Sequence, residues 1–238
     1  MVTPEIAPAR PASTVIVLRA GEPFEILMVR RNDKVAFMAG SYVFPGGSVD
    51  AGDRPAAGAQ LPRASFRDLS DAEEAAYRAA AVRGLEEEAN VRITIDDLHP
   101  FAHWVTPEIE TRRYDTRFFL ARMPSGQVAK HDESETTALE WLSPAAAIGR
   151  FNRRELLLPP PTYTSIRQVA PRTSIDDVFA WAKSRPIPRV MPGFFKNGEV
   201  ATLTLPGDPT FPTIPDWDVP EETRFVLQDG MRWQPSKV

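Results

Sequence analysis

A glycine-rich turn followed by one strongly signalled helix constrains this chain more than any other stretch. The turn spans residues 44–53 and carries two adjacent glycines. The helix is predicted from Asp71 to Ala89, because apolar residues recur there at three- and four-residue steps. Ser70 opens a capping box before it, and Asn90 favours the left-handed conformation that ends a helix.

Three consecutive carboxylates, Glu86, Glu87 and Glu88, close this helix. They repel one another and lie at the negative end of the helix dipole, where they cost stability unless a cation is near. They are either a solvated acidic helix end, with Arg83 paired to Glu87 at i,i+4, or a cation-binding site. The glycine turn ahead of the helix favours the second interpretation.

Together the turn and the helix resemble the Nudix box of the Nudix hydrolases. Gly47 takes the place of the first glycine of that motif, Asp53 stands where its first Glu is expected, and the remaining matches are Arg83, Leu85, Glu87, Glu88 and Val91. The resemblance implies an α/β/α sandwich around a mixed sheet. It also implies metal-dependent hydrolysis of a diphosphate that links a nucleoside to another group.

The sequence departs from the Nudix pattern in spacing and at two positions. Residues 54–82 separate Asp53 from Arg83, and a loop of this length costs only logarithmically in closure entropy. Asn90 replaces a glycine and Gly84 replaces a Glu. Gly84 removes a metal ligand of the motif and costs about 1 kcal/mol of helix propensity relative to Ala. This predicts reduced activity or a ligand supplied from elsewhere, and an activity gain in Gly84→Glu.

Further strings resemble, in order, the animal peroxisomal acyl-coenzyme A diphosphatase branch of the Nudix family. They are Trp104–Pro107, Arg113–Phe119, Trp141–Pro144, Leu158–Thr162 and Leu205–Asp208. That branch is also known for a long insertion inside the box. For coenzyme A thioesters the implied products are 3′,5′-ADP and acyl-phosphopantetheine.

The resemblance assigns roles to five residues of the box. Glu87 and Glu88 are the implied ligands of Mg²⁺ or Mn²⁺, and Glu87 is also an implied catalytic residue. Arg83 is expected to orient Glu87. Gly46 and Gly47 are expected to shape the turn where the substrate binds.

Two further groups of residues are candidates outside the box. Arg30 and Arg31 precede the glycine turn and either bind phosphate or form a solvated strand end. Glu135 closes an acidic loop, which is either solvated or near the metal. Its position ahead of Trp141 resembles that of a Glu in many Nudix proteins, so it is the candidate for an additional ligand or general base.

Composition excludes several classes of function. The formal net charge is −4, which gives no electrostatic footprint for nucleic acid, and no apolar run approaches a membrane span. Cysteine is absent, which excludes a disulfide framework and fits a reducing cytoplasm. From this we expect a cytoplasmic protein. The terminal Ser236-Lys237-Val238 is close to the peroxisomal Ser-Lys-Leu address but lacks its leucine, and we give it little weight. The expected partner is a small nucleotide substrate, and a homodimer is an allowed assembly.

The domain organisation is predicted from the patterning along the chain. Residues 1–12 form a flexible lead, residues 13–158 the Nudix domain with residues 54–70 as its inserted loop, and residues 159–238 an extension packed on that core. Among the strands of the core, one is predicted from Val91 to Ile95. The extension contains two helices and a hairpin at residues 223–233.

Three hypotheses follow for the function. The first is a coenzyme A or acyl-coenzyme A diphosphatase. The second is a Nudix hydrolase acting on NADH or ADP-ribose. The third is a non-catalytic nucleotide-binding domain, for which Gly84 is the main argument.

Overall fold

The computed structural model describes residues 6–33, 38–60, 63, 65–131, 136–215, 217–230 and 232–236. The described residues form two β-sheets and four α-helices. The strands of the larger sheet are β1 (Ala9–Ala20), β2 (Phe24–Arg31), β3 (Tyr42–Val43), β4 (Gly46–Ser48), β5 (His99–Val105), β6 (Arg113–Arg122), β7 (Thr136–Leu142) and β8 (Arg189–Val190).

The larger sheet is mixed. Its main order is β3-β2-β1-β6-β5-β8, with β4 paired to β1 and β7 paired to β2. The β1–β6 and β5–β8 pairs are parallel, and the other pairs are antiparallel. The predicted α/β fold around a mixed sheet is confirmed.

Four helices cover this sheet, and three of them begin at side-chain caps. They are α1 (Asp71–Ala89), α2 (Pro144–Asn152), α3 (Pro160–Val169) and α4 (Ile175–Ser184). Ser70, Ser143 and Ser174 each accept a hydrogen bond from a backbone N–H in the first turn of the helix that follows. Asn90 has a φ of 52° and ends α1 in the left-handed conformation, as predicted.

Alternation along β6 divides the core into two layers. Phe118 and Leu120 belong to one buried cluster, whereas Phe119 and Ala121 belong to the other. Successive side chains of a strand point to opposite faces of its sheet, so the two clusters lie on opposite faces. Helix α1 packs on the second face through residues such as Leu85.

A smaller antiparallel sheet follows in the C-terminal segment. Its strands are β9 (Gly193–Asn197), β10 (Val200–Thr204), β11 (Arg224–Gln228) and β12 (Arg232–Pro235), in the order β12-β11-β10-β9. Leu203 and Phe225 of this sheet belong to the same buried cluster as Phe118 of the larger sheet. The segment after residue 158 therefore shares a core with the strands that precede it.

The segment inserted before α1 is fastened to the core. Phe66 is 2% exposed and packs edge-on against Phe119, with ring centroids 5.7 Å apart. The backbone N–H groups of Ser65 and Phe66 donate to the Glu74 carboxylate, at 2.5 and 2.9 Å. Arg78 donates to the same carboxylate at 2.9 and 2.7 Å, so a buried ion pair holds the end of the insertion.

Two sequence predictions of local structure are wrong. The strand predicted from Val91 to Ile95 is irregular backbone that leads into a short 3-10 helix, because Asp97 accepts from the N–H of Thr94 at 2.7 Å. Strand β1 begins at Ala9, inside the predicted lead. Proline has no backbone N–H and cannot donate a hydrogen bond to the sheet. The Pro11 carbonyl still accepts a hydrogen bond from the N–H of Val49 at 2.9 Å, so the strand continues through this residue. Along the described part of the chain, we find no helix with both the length and the apolar character needed to cross a bilayer.

Candidate active site

The glycine turn and the end of α1 meet in direct backbone contact. An ideal Cβ built on Gly84 would lie 2.4 Å from the carbonyl carbon of Gly46 and 2.7 Å from the nitrogen of Gly47. Real Cβ atoms do not approach backbone this closely. Glycine at position 84 is therefore required by the packing of helix against turn.

This contact changes the interpretation of Gly84. The sequence alone suggests a missing metal ligand whose restoration raises activity. In the structure, a glutamate at position 84 has to displace the turn, so we now expect Gly84→Glu to lower activity. Gly46 is held from its other side as well, since a Cβ there would lie 2.1 Å from the carbonyl oxygen of Ser13.

Glu88 faces the turn. Its carboxylate accepts a hydrogen bond from the backbone N–H of Gly46 at 3.0 Å, and the residue is 7% exposed. Glu88 also lines a cavity of about 650 Å³. Of the three glutamates that end α1, it is the one that the structure places on that cavity.

Arg83 connects the helix to the rest of the turn. Its guanidinium donates to Asp53 at 3.0 and 2.8 Å, to the Ser48 carbonyl at 2.8 Å and to Glu87 at 3.1 Å. Burial raises the pKa of Asp53, but hydrogen bonds from Arg83 and from the Asp50 N–H outweigh it and lower the pKa below its usual value. Arg83 therefore holds Glu87 in place while Asp53 anchors Arg83.

Glu87 does not lie on the cavity with Glu88. Its side chain is 59% exposed and is bonded to Arg83. Successive residues of a helix are about 100° apart around its axis, so the Glu87 and Glu88 side chains leave the helix in different directions. Glu135 lies outside the described residues.

The two arginines ahead of the turn have different environments. Arg31 lines the cavity. Arg30 donates to Asp33 at 2.8 Å and to the Thr137 hydroxyl at 2.9 Å, and it is not among the cavity-lining residues. Of the two, only Arg31 is in a position to contact a ligand in this cavity.

The cavity has a volume of about 650 Å³. Gly46, Gly47, Glu88 and Arg31 line its polar side. Its apolar lining includes Phe118 from β6, Phe151 from α2, and Leu203, Leu227 and Trp233 from the smaller sheet. A volume of this size is typical of a small-molecule site.

Sequence reasoning missed most of the residues on the apolar side. The alternation of β6 already places Tyr114, Thr116 and Phe118 on one face, and all three line the cavity. No comparable signal identifies Leu227 or Trp233, because their position depends on how the two sheets pack.

The oxygen ligands near the turn fit a divalent ion that is shared with a substrate. Mg²⁺ is commonly bound by one or two carboxylates together with substrate phosphates and water. Glu88 is a buried carboxylate at the turn, and oxygen is the donor that Mg²⁺ and Mn²⁺ prefer. Within the part of the chain that the structure describes, no group of three or more His, Asp or Glu side chains is arranged to hold a metal by itself.

The chain is similar in sequence to known Nudix proteins. A family model described as the NUDT19 Nudix domain matches residues 84–169, which begin at the helix–turn contact. The acyl-coenzyme A diphosphatase NUDT19 of Homo sapiens is 24% identical, and the match covers 89% of this chain and 80% of that protein. The protein of the same name from Xenopus laevis is 21% identical, with coverages of 81% and 73%.

A solved structure shows the same fold. The Nudix hydrolase from Alicyclobacillus acidocaldarius superimposes with a TM-score of 0.62 at 20% identity, covering 74% of this chain and 97% of that chain. The family model and the curated relatives support a Nudix protein of the NUDT19 branch, and the solved structure supports its fold.

Proposed function

We propose that the protein hydrolyses the diphosphate of coenzyme A and acyl-coenzyme A, releasing 3′,5′-ADP and phosphopantetheine or its acyl derivative. The human and frog relatives, which are named as acyl-coenzyme A diphosphatases, support this substrate class. The observation that carries the proposal is the Glu88 carboxylate, which lies on the cavity wall and is bonded to the Gly46 N–H at 3.0 Å.

The side chains around the turn have different proposed roles in binding the substrate and the metal ion. Arg31 lines the cavity and offers a guanidinium, which can bind phosphate oxygens through two parallel hydrogen bonds. Glu88 holds a divalent metal ion together with the substrate phosphates. Arg83 positions Glu87 as a more distant ligand or catalytic carboxylate. Glu135 remains our proposal for an additional ligand or general base.

The proposed metal is Mg²⁺ or Mn²⁺. When bound, such an ion neutralises phosphate oxygens and activates a water molecule for attack on phosphorus. A diphosphate repels an anionic nucleophile, so the chain itself contributes the positive charge of Arg31, and the buried Glu88 carboxylate would hold the metal ion. The absence of cysteine supports a reducing compartment, and we propose the cytoplasm.

The packing of Gly84 weakens the main argument for a non-catalytic domain. The glycine that replaces the motif Glu has a structural reason, because the backbone of Gly46 occupies the space a side chain needs. The remaining alternative is a diphosphatase for NADH or ADP-ribose, which differs from the proposal in the group attached to the diphosphate.

A substrate panel tests the proposal directly. The full-length protein is incubated with Mg²⁺ or Mn²⁺ and with coenzyme A, an acyl-coenzyme A, NADH or ADP-ribose in turn, and the products are separated by ion-pair chromatography. We expect 3′,5′-ADP from the coenzyme A substrates. AMP from NADH or ADP-ribose, with the coenzyme A substrates left intact, overturns the proposed substrate class.

A further inference from the structure

Part of the cavity wall comes from the smaller sheet. Leu203, Leu227 and Trp233 belong to three different strands of that sheet, β10, β11 and β12, and all three line the cavity. The family model ends at residue 169, before this sheet begins. The match that identifies the Nudix domain therefore assigns no role to this wall.

The strand register places two of these side chains together. Leu227 and Trp233 are directly opposite each other in the antiparallel β11–β12 pair, so both side chains leave the same face of the sheet. Both residues are half-buried, and both face the cavity. Val226 precedes Leu227 on the strand, points to the other face and does not line the cavity.

The hairpin that carries this wall is anchored to the core. Phe225 lies two residues before Leu227, is fully buried and packs edge-on against Tyr163 of α3, with ring centroids 5.8 Å apart. Tyr163 in turn packs against Phe151 of α2 at 4.7 Å. The hairpin is therefore anchored to helices α2 and α3.

The lining residues of the cavity differ in chemistry. Those before residue 159 include the charged side chains Arg31, Glu88 and Glu110, and Glu88 is bonded to the Gly46 N–H of the turn. From residue 159 onward, none of the described lining residues carries a charge. A substrate with a charged diphosphate and an apolar tail gains most when the diphosphate lies at the turn and the tail lies against the apolar wall.

We propose that Leu203, Leu227 and Trp233 form the binding surface for the acyl chain of the substrate and make the enzyme prefer acyl-coenzyme A over free coenzyme A. The inference rests on the proposed function. It adds that the C-terminal sheet determines specificity for the acyl group. A buried methylene contributes about 0.8 kcal/mol, so kcat/KM rises about fourfold for each methylene that reaches the wall.

The test measures 3′,5′-ADP release from free coenzyme A, acetyl-, hexanoyl- and decanoyl-coenzyme A by the full-length protein. The variants are Leu227→Ala, which removes apolar side-chain surface from the cavity wall, and Val226→Ala, which is the matched control on the opposite face of the strand. Leu227→Met, which keeps the apolar volume, serves as the rescue variant. We expect Leu227→Ala to lower kcat/KM for decanoyl-coenzyme A about tenfold more than for free coenzyme A.

The outcomes separate this inference from the proposed function. Release of 3′,5′-ADP from none of the four substrates by the wild type refutes the proposed function itself. Hydrolysis of all four with equal kcat/KM, or an equal loss for every substrate in Leu227→Ala, refutes the acyl-binding wall alone. A chain-length preference that is retained in Val226→Ala, reduced in Leu227→Ala and restored in Leu227→Met supports it.

Discussion

Gly84 offers the sharpest test of how the helix and the glycine turn form the site. The substitution Gly84→Ala adds one methyl group to a helix, where alanine is otherwise favoured over glycine by about 1 kcal/mol. The added Cβ would lie 2.4 Å from the carbonyl carbon of Gly46. Favourable carbon–carbon contacts lie at about 3.5 to 4.0 Å, so helix and turn must separate by roughly 1 Å.

The expected effects on stability and on activity are different in size. Overpacking costs about 1 to 3 kcal/mol, and the gain in helix propensity offsets part of it, so the free energy of unfolding falls by about 0 to 2 kcal/mol. The same shift moves the Gly46 N–H away from Glu88, and a displacement of 1 Å at a reacting group can cost about 100-fold in rate. We therefore expect a folded protein with about 100-fold lower kcat/KM.

The assay pairs urea unfolding with release of 3′,5′-ADP from an acyl-coenzyme A. Gly149→Ala is the matched control, because Gly149 also lies within a helix, α2, and a Cβ there has its nearest contact at 3.4 Å, the end of the Arg153 side chain. The control is expected to be slightly stabilised and fully active. A Gly84→Ala protein that keeps kcat/KM within about threefold of wild type refutes the claim that the close contact sets the geometry of the site.

Three further predictions concern the ion pairs and the insertion around the site. Because the folded-state pKa of Asp53 lies below its unfolded value, its contribution to stability is present at neutral pH and is lost as pH falls through the folded pKa. Asp53→Asn should therefore lower the free energy of unfolding in urea at pH 7 but change it little at about pH 2. Arg78→Met leaves the buried Glu74 carboxylate without its cation and should cost about 3 to 5 kcal/mol in the same assay, most of it recovered by adding Glu74→Gln. Phe66→Ala should cost about 3 to 5 kcal/mol if the insertion is part of the core, whereas a loss below 1 kcal/mol would show that it is not.

Local signals predicted the boundaries of α1. A serine cap with its partner Glu73 and an asparagine that adopts positive φ are short-range features, and they operate whatever the helix packs against. The predicted helix, Asp71–Ala89, has the bounds found in the structure. The alternation of β6 is likewise local and was predicted correctly.

Long-range packing accounts for what the sequence could not predict. The motif treats Glu87 and Glu88 alike, yet only Glu88 lies on the cavity, because its direction depends on where the turn crosses the helix. From the sequence, Gly84 is interpreted as a lost metal ligand. The structure shows that the backbone of Gly46 packs directly against it. The strand predicted from Val91 had the right residue types, but the short cap formed by Thr94 and Asp97 prevails over strand propensity.

The role of Glu88 is most directly tested by comparing Glu88→Gln with Glu86→Gln. Both substitutions remove one negative charge from the last turn of α1, but Glu86 is exposed and bonded to Arg92, away from the cavity. We predict that Glu88→Gln lowers kcat/KM for 3′,5′-ADP release by about 100-fold or more and weakens Mn²⁺ binding measured by calorimetry, whereas Glu86→Gln stays within about twofold of wild type. Equal activity and equal Mn²⁺ affinity in the two variants would contradict the assignment of Glu88 to the metal and the diphosphate.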